Sequence, residues 1–330
     1  MAMREQPEPV AQPGEVVIEV AYVGICGSEL SGYLGHNALR VPPLVMGHEF
    51  AGEIVDIGDD LKGSDSALTP GTTVTVNPLI YCGTCDYCLS GLNQLCRNRK
   101  LIGAARPGAF AAYVSAPAKM VTPLPEGLSM RAGALTEPAA CGVRIGELAG
   151  TVEGEVCLVI GAGPIGLLTL QVLLAHGAKS VLIAERDEAR LAMATALGGV
   201  PINAQTDDTI KVAREATDDL GVKVAVDAVG SAGTRQQCIS AARSGGTVIL
   251  SGLHEESSVM PAADMIRREI VVRGSFAYTP ANFAEGLAML ANGTLRLDPW
   301  IVEAPLEEGG KWFDRLVDAP GDVSKVLLIP

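Results

Sequence analysis

The chain has 330 residues, enough for about two domains. Hydrophobic residues make up 48% and charged residues 19%, which excludes a disordered chain, and no apolar run reaches the roughly 18 residues of a transmembrane helix. A net charge of −13 argues against a basic face for nucleic acid and against docking on an acidic membrane.

Residues 1–7 lack the apolar core of a signal peptide, which predicts a cytoplasmic protein. From 15 to 121 the apolar stretches are short and broken by proline and glycine. Residues 16–23, 51–55 and 72–76 read as strands of a mostly β domain. From about 139 to 274 the pattern becomes strand, helix, strand, helix. Residues 156–160 form a continuous apolar run, as a strand covered on both faces requires. A helix over 164–177 follows, then a strand over 181–184, a charged helix over 187–197 and a strand near Ile202. Further strands read at 224–227, 247–250 and 270–272. Strands alternating with helices predict an α/β fold with a parallel, doubly wound Rossmann sheet. Residues 275–330 return to mixed structure, with a helix over 283–291 and a last strand over 325–329. This segment is expected to pack back on the first domain. The expected domains are 1–138 and 275–330 around a dinucleotide-binding domain of 139–274, with linkers near Thr122-Pro123 and Ser275.

The turn Gly161-Ala162-Gly163-Pro164-Ile165-Gly166 matches G-x-G-x-x-G, between a strand and a helix. Gly161 permits the tight turn, Gly163 lets the backbone approach a pyrophosphate, and Gly166 allows close helix–strand packing. Pro164 and Ile165 open the helix, whose N-terminal N–H groups favour phosphate. Glu185 lies 24 residues after Gly161, where an acid takes the ribose hydroxyls. A carboxylate there repels a 2′-phosphate, so NAD is favoured over NADP, although the neighbouring Arg186 could receive that phosphate.

Four of the eight cysteines fall close together, Cys82, Cys85, Cys88 and Cys96. Four thiolates at this spacing suit a closed, structural tetrahedral zinc site; an iron–sulfur cluster is the competing reading. Cys26 and Ser28 follow one strand, and His48 and Glu49 precede the next. Taken alone, each reads more readily as a buried structural residue than as a ligand.

The segments Gly24-Ile25-Cys26-Gly27-Ser28, Gly47-His48-Glu49-Phe50-Ala51-Gly52, the cysteine lobe, Glu137-Pro138 and the glycine turn occur in this order. In them the chain resembles the zinc-dependent medium-chain alcohol/polyol dehydrogenase family, in its sorbitol dehydrogenase-like branch, from about Glu15 to the last residue. The resemblance implies a GroES-like catalytic domain beside the Rossmann domain, and two zinc ions, one catalytic and one structural. It places the catalytic zinc on Cys26, His48 and Glu49. Glu137 then binds that zinc directly or holds its water. Ser28 is implied to hydrogen-bond the substrate oxygen, Arg190 to lie near the adenosine ribose, and Ser251, Gly252, Leu253, Ser275 and Phe276 to line the cofactor. The implied reaction is hydride transfer to NAD from a secondary alcohol, as a polyol, diol or sugar-alcohol phosphate, in a homodimer or homotetramer formed through the last Rossmann strand.

The chain departs from the family pattern in three places. A relay histidine common in the family is replaced by Ser31, and an arginine common after Gly274-Ser275-Phe276 by Ala277. The family's opening strands have no counterpart ahead of residue 7, which would leave an unpaired sheet edge. Arg40, Arg106 and Arg144 are scattered candidates for a substrate phosphate, each reading more simply as a surface arginine. Two other functions remain open at this level: an NADPH-dependent carbonyl reductase, and a catalytically degenerate nucleotide- and zinc-binding protein.

Overall fold

The computed structural model describes residues 2–63 and 67–330. The chain divides into two units. The first holds Met1–Glu137, Thr279–Asn292 and Ile301–Pro330; the second holds Pro138–Tyr278 and Gly293–Trp300.

The first unit carries β1 (Glu15–Gly24), β2 (Glu49–Ile57), β3 (Thr73–Val76), β4 (Leu79–Ile80), β5 (Lys100–Leu101), β6 (Tyr113–Pro117) and β7 (Val121–Pro123). The second carries β8 (Val156–Ile160), β9 (Ser180–Glu185), β10 (Val200–Asn203), β11 (Val222–Asp227), β12 (Ala242–Leu250) and β13 (Val271–Gly274). The chain then returns to the first unit with β14 (Ile301–Pro305) and β15 (Lys325–Ile329). Among the described residues, the main sheet of the first unit runs β14-β15-β1-β2-β3-β7, with β6 also paired to β1, while β4 and β5 form a separate two-stranded antiparallel sheet. Val16, Ile18, Phe50, Ile54, Val326 and Leu328 lie in one buried cluster, so the last strand of the chain is part of the core built by the first. The central strand β1 pairs antiparallel with β15, β2 and β6.

The second unit is a parallel sheet in the order β10-β9-β8-β11-β12-β13. Numbered from β8, this is the 3-2-1-4-5-6 order of a dinucleotide-binding fold. Strand β8 is buried along nearly its whole length, because helices cover both faces of such a sheet. The helix Pro164–Ala175 is buried through its interior and carries no clear polar face, consistent with a position inside the unit. No described helix is long and apolar enough to cross a membrane.

The structure overturns two sequence expectations. Thr122-Pro123 is not a linker: both residues belong to β7, paired with Thr75 and Val74 of β3. An edge strand tolerates the proline because the N–H it lacks faces away from the ladder. The first boundary falls inside the helix Thr136–Ala149, between Glu137 and Pro138, one residue from the expected end of the first domain. The tail from 275 is also not a single returning segment. Residues 293–300 go with the second unit, where Gln171 accepts from Arg296 N (2.7 Å) and donates to Arg296 O (3.2 Å), and Arg296 Nη2 donates to Ala196 O (2.8 Å).

The packing at Gly166 leaves no room for a side chain. A Cβ there would lie 1.8 Å from Gly161 O. Gly166→Ala is expected to push the helix off β8 and cost about 1–3 kcal/mol. Thermal unfolding would report it as a lowered Tm.

Candidate active site and metal centres

Strand β1 ends at Gly24, and the next turn starts the helix Gly27–Tyr33 with Cys26 as its N-cap. Strand β2, antiparallel to β1, begins at Glu49, paired with Gly24. This register brings Cys26, His48 and Glu49 together. One donor atom from each lies within 4.8 Å of the others. His48 and Glu49 are 4% and 1% exposed.

The imidazole is oriented by Glu29. Its Oε1 sits 2.8 Å from His48 Nδ1 and also accepts from Gly47 N (2.8 Å), while Oε2 accepts from Cys26 N (3.0 Å). An ionised carboxylate only accepts, so Nδ1 carries a proton and Nε2 is the ring nitrogen left to face a cation. Burial alone would push the Glu29 carboxyl up. The charges and hydrogen bonds of His48, the Cys26 N–H and the Arg40 guanidinium together hold it below the ordinary range.

Glu49 is met by Lys325 from β15. Lys325 is 2% exposed, and its ammonium forms an ion pair with Glu49 Oε2 and donates to Ile25 O at 3.0 Å. Burial opposes its charge, but Glu49, Cys26 and Glu137 outweigh that and hold the ammonium above its usual range. The site has room for this pair because residue 24 is glycine: a Cβ there would lie 3.1 Å from Lys325 Cε and would overlap Glu49 Oε2. A thiolate, an imidazole nitrogen and a carboxylate, with one coordination position left open, are the donor types of a catalytic zinc centre, and this cluster fits one.

The second cluster contains Cys82, Cys85, Cys88 and Cys96, also with sulfur atoms within 4.8 Å of one another. Cys82 and Cys96 are 3.5 Å apart, Cys82 and Cys88 3.9 Å, Cys85 and Cys96 3.9 Å. A tetrahedral ion with bonds of about 2.3 Å to sulfur requires edges of about 3.8 Å. These distances fit one ion; a multi-iron cluster would hold its cysteines farther apart. Backbone N–H groups of Thr84 and Cys85 draw the Cys82 thiol down to about 5, while desolvation pushes Cys88 up to about 12. A cation at the centre would favour the thiolate at all four.

In the second unit, Gly161 has φ +102° and leads into the helix with Pro164 at its first turn. Glu185 ends β9, and its Oε2 accepts from Ala162 N at 2.9 Å, inside the glycine turn. Its Oε1 accepts from the N–H groups of Arg186 (2.6 Å) and Asp187 (3.2 Å). The acid and the turn are thus locked together. Arg190 follows in the first turn of the helix Glu188–Ala196. Ser251, Gly252 and Leu253 follow β12, and Ser275 and Phe276 follow β13, so both groups lie beyond carboxyl ends of parallel strands, where such sheets bind ligands. Leu253 is 85% exposed.

Residues 12–126 match the family model of the alcohol dehydrogenase GroES-like domain, and residues 164–292 that of zinc-binding dehydrogenases. The sorbitol dehydrogenase of Halalkalibacterium halodurans is 33% identical over 335 aligned residues, covering 100% of this chain and 95% of that protein. The D-arabitol-phosphate dehydrogenase of Enterococcus avium is 33% identical, covering 99% and 93%. A solved structure of a zinc-binding dehydrogenase from Sinorhizobium meliloti 1021, bound to NADP, superposes with a TM-score of 0.88 at 31% identity, covering 98% of this chain and 94% of that one. This chain belongs to the zinc-dependent medium-chain alcohol/polyol dehydrogenase family. It is an oxidoreductase acting on CH–OH, which sets aside the non-enzymatic reading.

Within this dehydrogenase, Glu137 is not one of the three donors that converge. It lies in the first turn of the helix Thr136–Ala149 and outside the compact donor set of Cys26, His48 and Glu49, although its charge acts on Lys325. Ser28 Oγ is 3.4 Å from Cys26 Sγ. Arg106 and Arg144 are tied into ion pairs with Glu15 and Glu147. Arg40 is not a surface arginine: it is 6% exposed and reaches Ser28 and His48. Sequence reasoning missed Glu29, Lys325 and this position of Arg40. Glu29 had a signal, an acid three residues after a ligand cysteine. Lys325 had none, because it stands 276 positions from Glu49 in a strand that reads as ordinary core.

Removing one partner of a buried ion pair leaves the other charge unpaired, at about 3–5 kcal/mol. Lys325→Met is therefore expected to destabilise the dehydrogenase, and more so after metal removal, when no cation remains to face Glu49. Denaturant unfolding of the metal-loaded and metal-stripped variant would measure both losses. Equal losses in the two forms would show that Lys325 does not serve as the counter-charge of Glu49.

Proposed function

We propose that this dehydrogenase oxidises a secondary hydroxyl of a polyol or sugar-alcohol phosphate to the ketone with NAD, holding one catalytic and one structural zinc ion. The observation that carries the reading is the convergence of Cys26, His48 and the carboxylate of Glu49 on one point. Named relatives acting on sorbitol and on D-arabitol phosphate support the substrate class.

When bound, zinc supplies Lewis acidity that eases loss of the alcohol proton, and the nicotinamide accepts the hydride. The chain's own groups do the rest. Glu29 fixes the His48 ring and its tautomer. Lys325 holds the Glu49 carboxylate in place, and Glu137 adds a further negative charge near them. Ser28 hydrogen-bonds the reacting oxygen. The N–H groups at the start of the helix Pro164–Ala175 bind the pyrophosphate, and Glu185 takes the adenosine ribose hydroxyls. Arg190, Ser251, Gly252, Leu253, Ser275 and Phe276 complete the cofactor surface. The outer strand β13, with Val271 42% exposed, is the edge through which two copies would pair in a dimer or tetramer.

The NAD preference follows from Glu185, whose carboxylate is held at the turn and would repel a 2′-phosphate. The NADP-bound relative favours the opposite reading. A panel of sugar alcohols, their phosphates and small secondary alcohols, run with NAD and with NADP, decides between them. Chelator-sensitive NADH formation is expected, fastest on polyols or their phosphates. Turnover with NADP alone would replace this reading with the carbonyl reductase.

Metal content tests the two centres separately. The native protein is expected to carry two zinc ions per chain. Cys85→Ser should lose one together with much of its thermal stability, because a closed four-sulfur site contributes folding energy directly. Cys26→Ser should lose the other together with turnover. Elemental analysis showing iron, or a single ion in the native protein, would refute the assignment.

A further inference from the structure

Arg40 lies eight residues before His48 in a loop, yet it is 6% exposed. Its stem fills the gap left by Gly32 on the helix Gly27–Tyr33, where an added Cβ would come within 2.5 Å of Arg40 Cδ. From there the guanidinium reaches back toward the start of the helix. Nη2 donates to Ser28 Oγ at 3.1 Å and lies 3.4 Å from His48 Nδ1. The second approach is not a hydrogen bond, because Nδ1 already donates to Glu29 and a guanidinium has only donors. Glu29, beside the same nitrogen, supplies the counter-charge. Arg40 Nε has no hydrogen-bond partner among the described residues, so the cation is held here at a desolvation cost that Ser28 and Glu29 offset.

A serine hydroxyl has one proton and two lone pairs. Arg40 occupies one lone pair and, staying charged at any accessible pH, can never accept the proton. The Ser28 O–H must therefore point elsewhere. In this structure it points at Cys26 Sγ, 3.4 Å away, on the side of the Cys26–His48–Glu49 cluster.

We propose that Arg40 is a positioning residue for the alcohol oxidation: it keeps the Ser28 hydroxyl a donor on the side of the metal cluster, able to turn from Cys26 Sγ to the reacting oxygen, and places a permanent positive charge behind it. This rests on the reading of Ser28 given above. With the Ser28 oxygen held by Arg40, a small rotation of the O–H turns the donor from Cys26 Sγ to the reacting oxygen, where it stabilises the negative charge growing there. The same geometry closes one route to the alcohol proton, which cannot leave through Arg40. The chain thus keeps the serine of the Ser28 position, has Ser31 in place of a relay histidine, and backs Ser28 with a fixed cation.

The test uses Arg40→Met, Arg40→Lys, Ser28→Ala and the double variant, each assayed as the zinc-loaded protein on the alcohol that wins the panel. Zinc content and Tm are measured alongside. Arg40→Met is expected to lower kcat by about 10²-fold, with KM changed less than about threefold and zinc retained. Arg40→Lys, which keeps the charge, should recover about tenfold of that loss. The double variant should be no slower than Ser28→Ala alone, because both act through one hydroxyl. Native kcat in Arg40→Met overturns the proposal. So do losses that multiply in the double variant, or a loss that tracks zinc content. Native kcat in Ser28→Ala overturns the Ser28 assignment and the proposal with it. Failure of the polyol reading shows separately, in the wild-type panel, as a preference for simple alcohols. If Arg40→Met fails to fold, Arg40→Lys carries the test: a lowered kcat at native KM and native zinc supports the proposal, and an unchanged kcat overturns it.

Discussion

A buried ion pair joins the beginning of β2 to the beginning of β15, and the first unit is arranged around it. Lys325 is almost sealed from solvent, and the carboxylate it meets, Glu49, belongs to the metal cluster. Neither charge is stable there alone. The pair therefore requires the last strand of the chain to lie against β1, in register with it and across from β2. It also favours glycine at position 24, where a Cβ would overlap Glu49 Oε2 and crowd Lys325 Cε. A sheet order, a register and one glycine are thus tied to the position of a single carboxylate.

Around that pair the charges alternate. Lys325 faces Glu49, Cys26 and Glu137; Glu29 faces His48 and Arg40. Glu29 is fully buried and accepts from two backbone N–H groups as well as from the imidazole. Such saturation leaves the ring one orientation. The four-cysteine lobe follows a simpler logic, in which short spacing along the chain and a tight turn bring four sulfur atoms to tetrahedral separations with little help from the rest of the unit. The nucleotide turn is similarly local. Its acid, Glu185, arrives from the neighbouring parallel strand and accepts a hydrogen bond from the turn itself.

These differences decide what could be read from the residues alone. The parallel sheet was legible because strands buried on both faces become continuous apolar runs, as in residues 156–160, and helices between them carry their own period. The cysteine lobe and the glycine turn were legible because their chemistry is local, with every partner within a few positions. Residues 309–318 and 301–305 were not read as helix and strand: Gly309-Gly310 imitates a loop, and β14 alternates weakly at an edge. Thr122-Pro123 was read as a linker because proline signals a break, while edge strands accept it. Residues 293–300 join the second unit through backbone hydrogen bonds to Gln171, which composition does not reveal.

The sequence by itself determined the α/β class, the order of strands and helices in the nucleotide-binding unit, the family, and the cysteines and glycines whose spacing is their function. Those features depend on contacts between near neighbours, or on periodicity that every turn of chain repeats. Only the tertiary structure decided that Lys325 stands against Glu49, that Glu29 orients His48, and that Arg40 is buried behind Ser28 rather than exposed. Each of these is a charge whose partner is set by strand pairing or loop packing. A lone lysine or arginine in a sequence has the same composition on the surface as in a core, and burial becomes tolerable only when a distant segment brings the opposite charge to meet it.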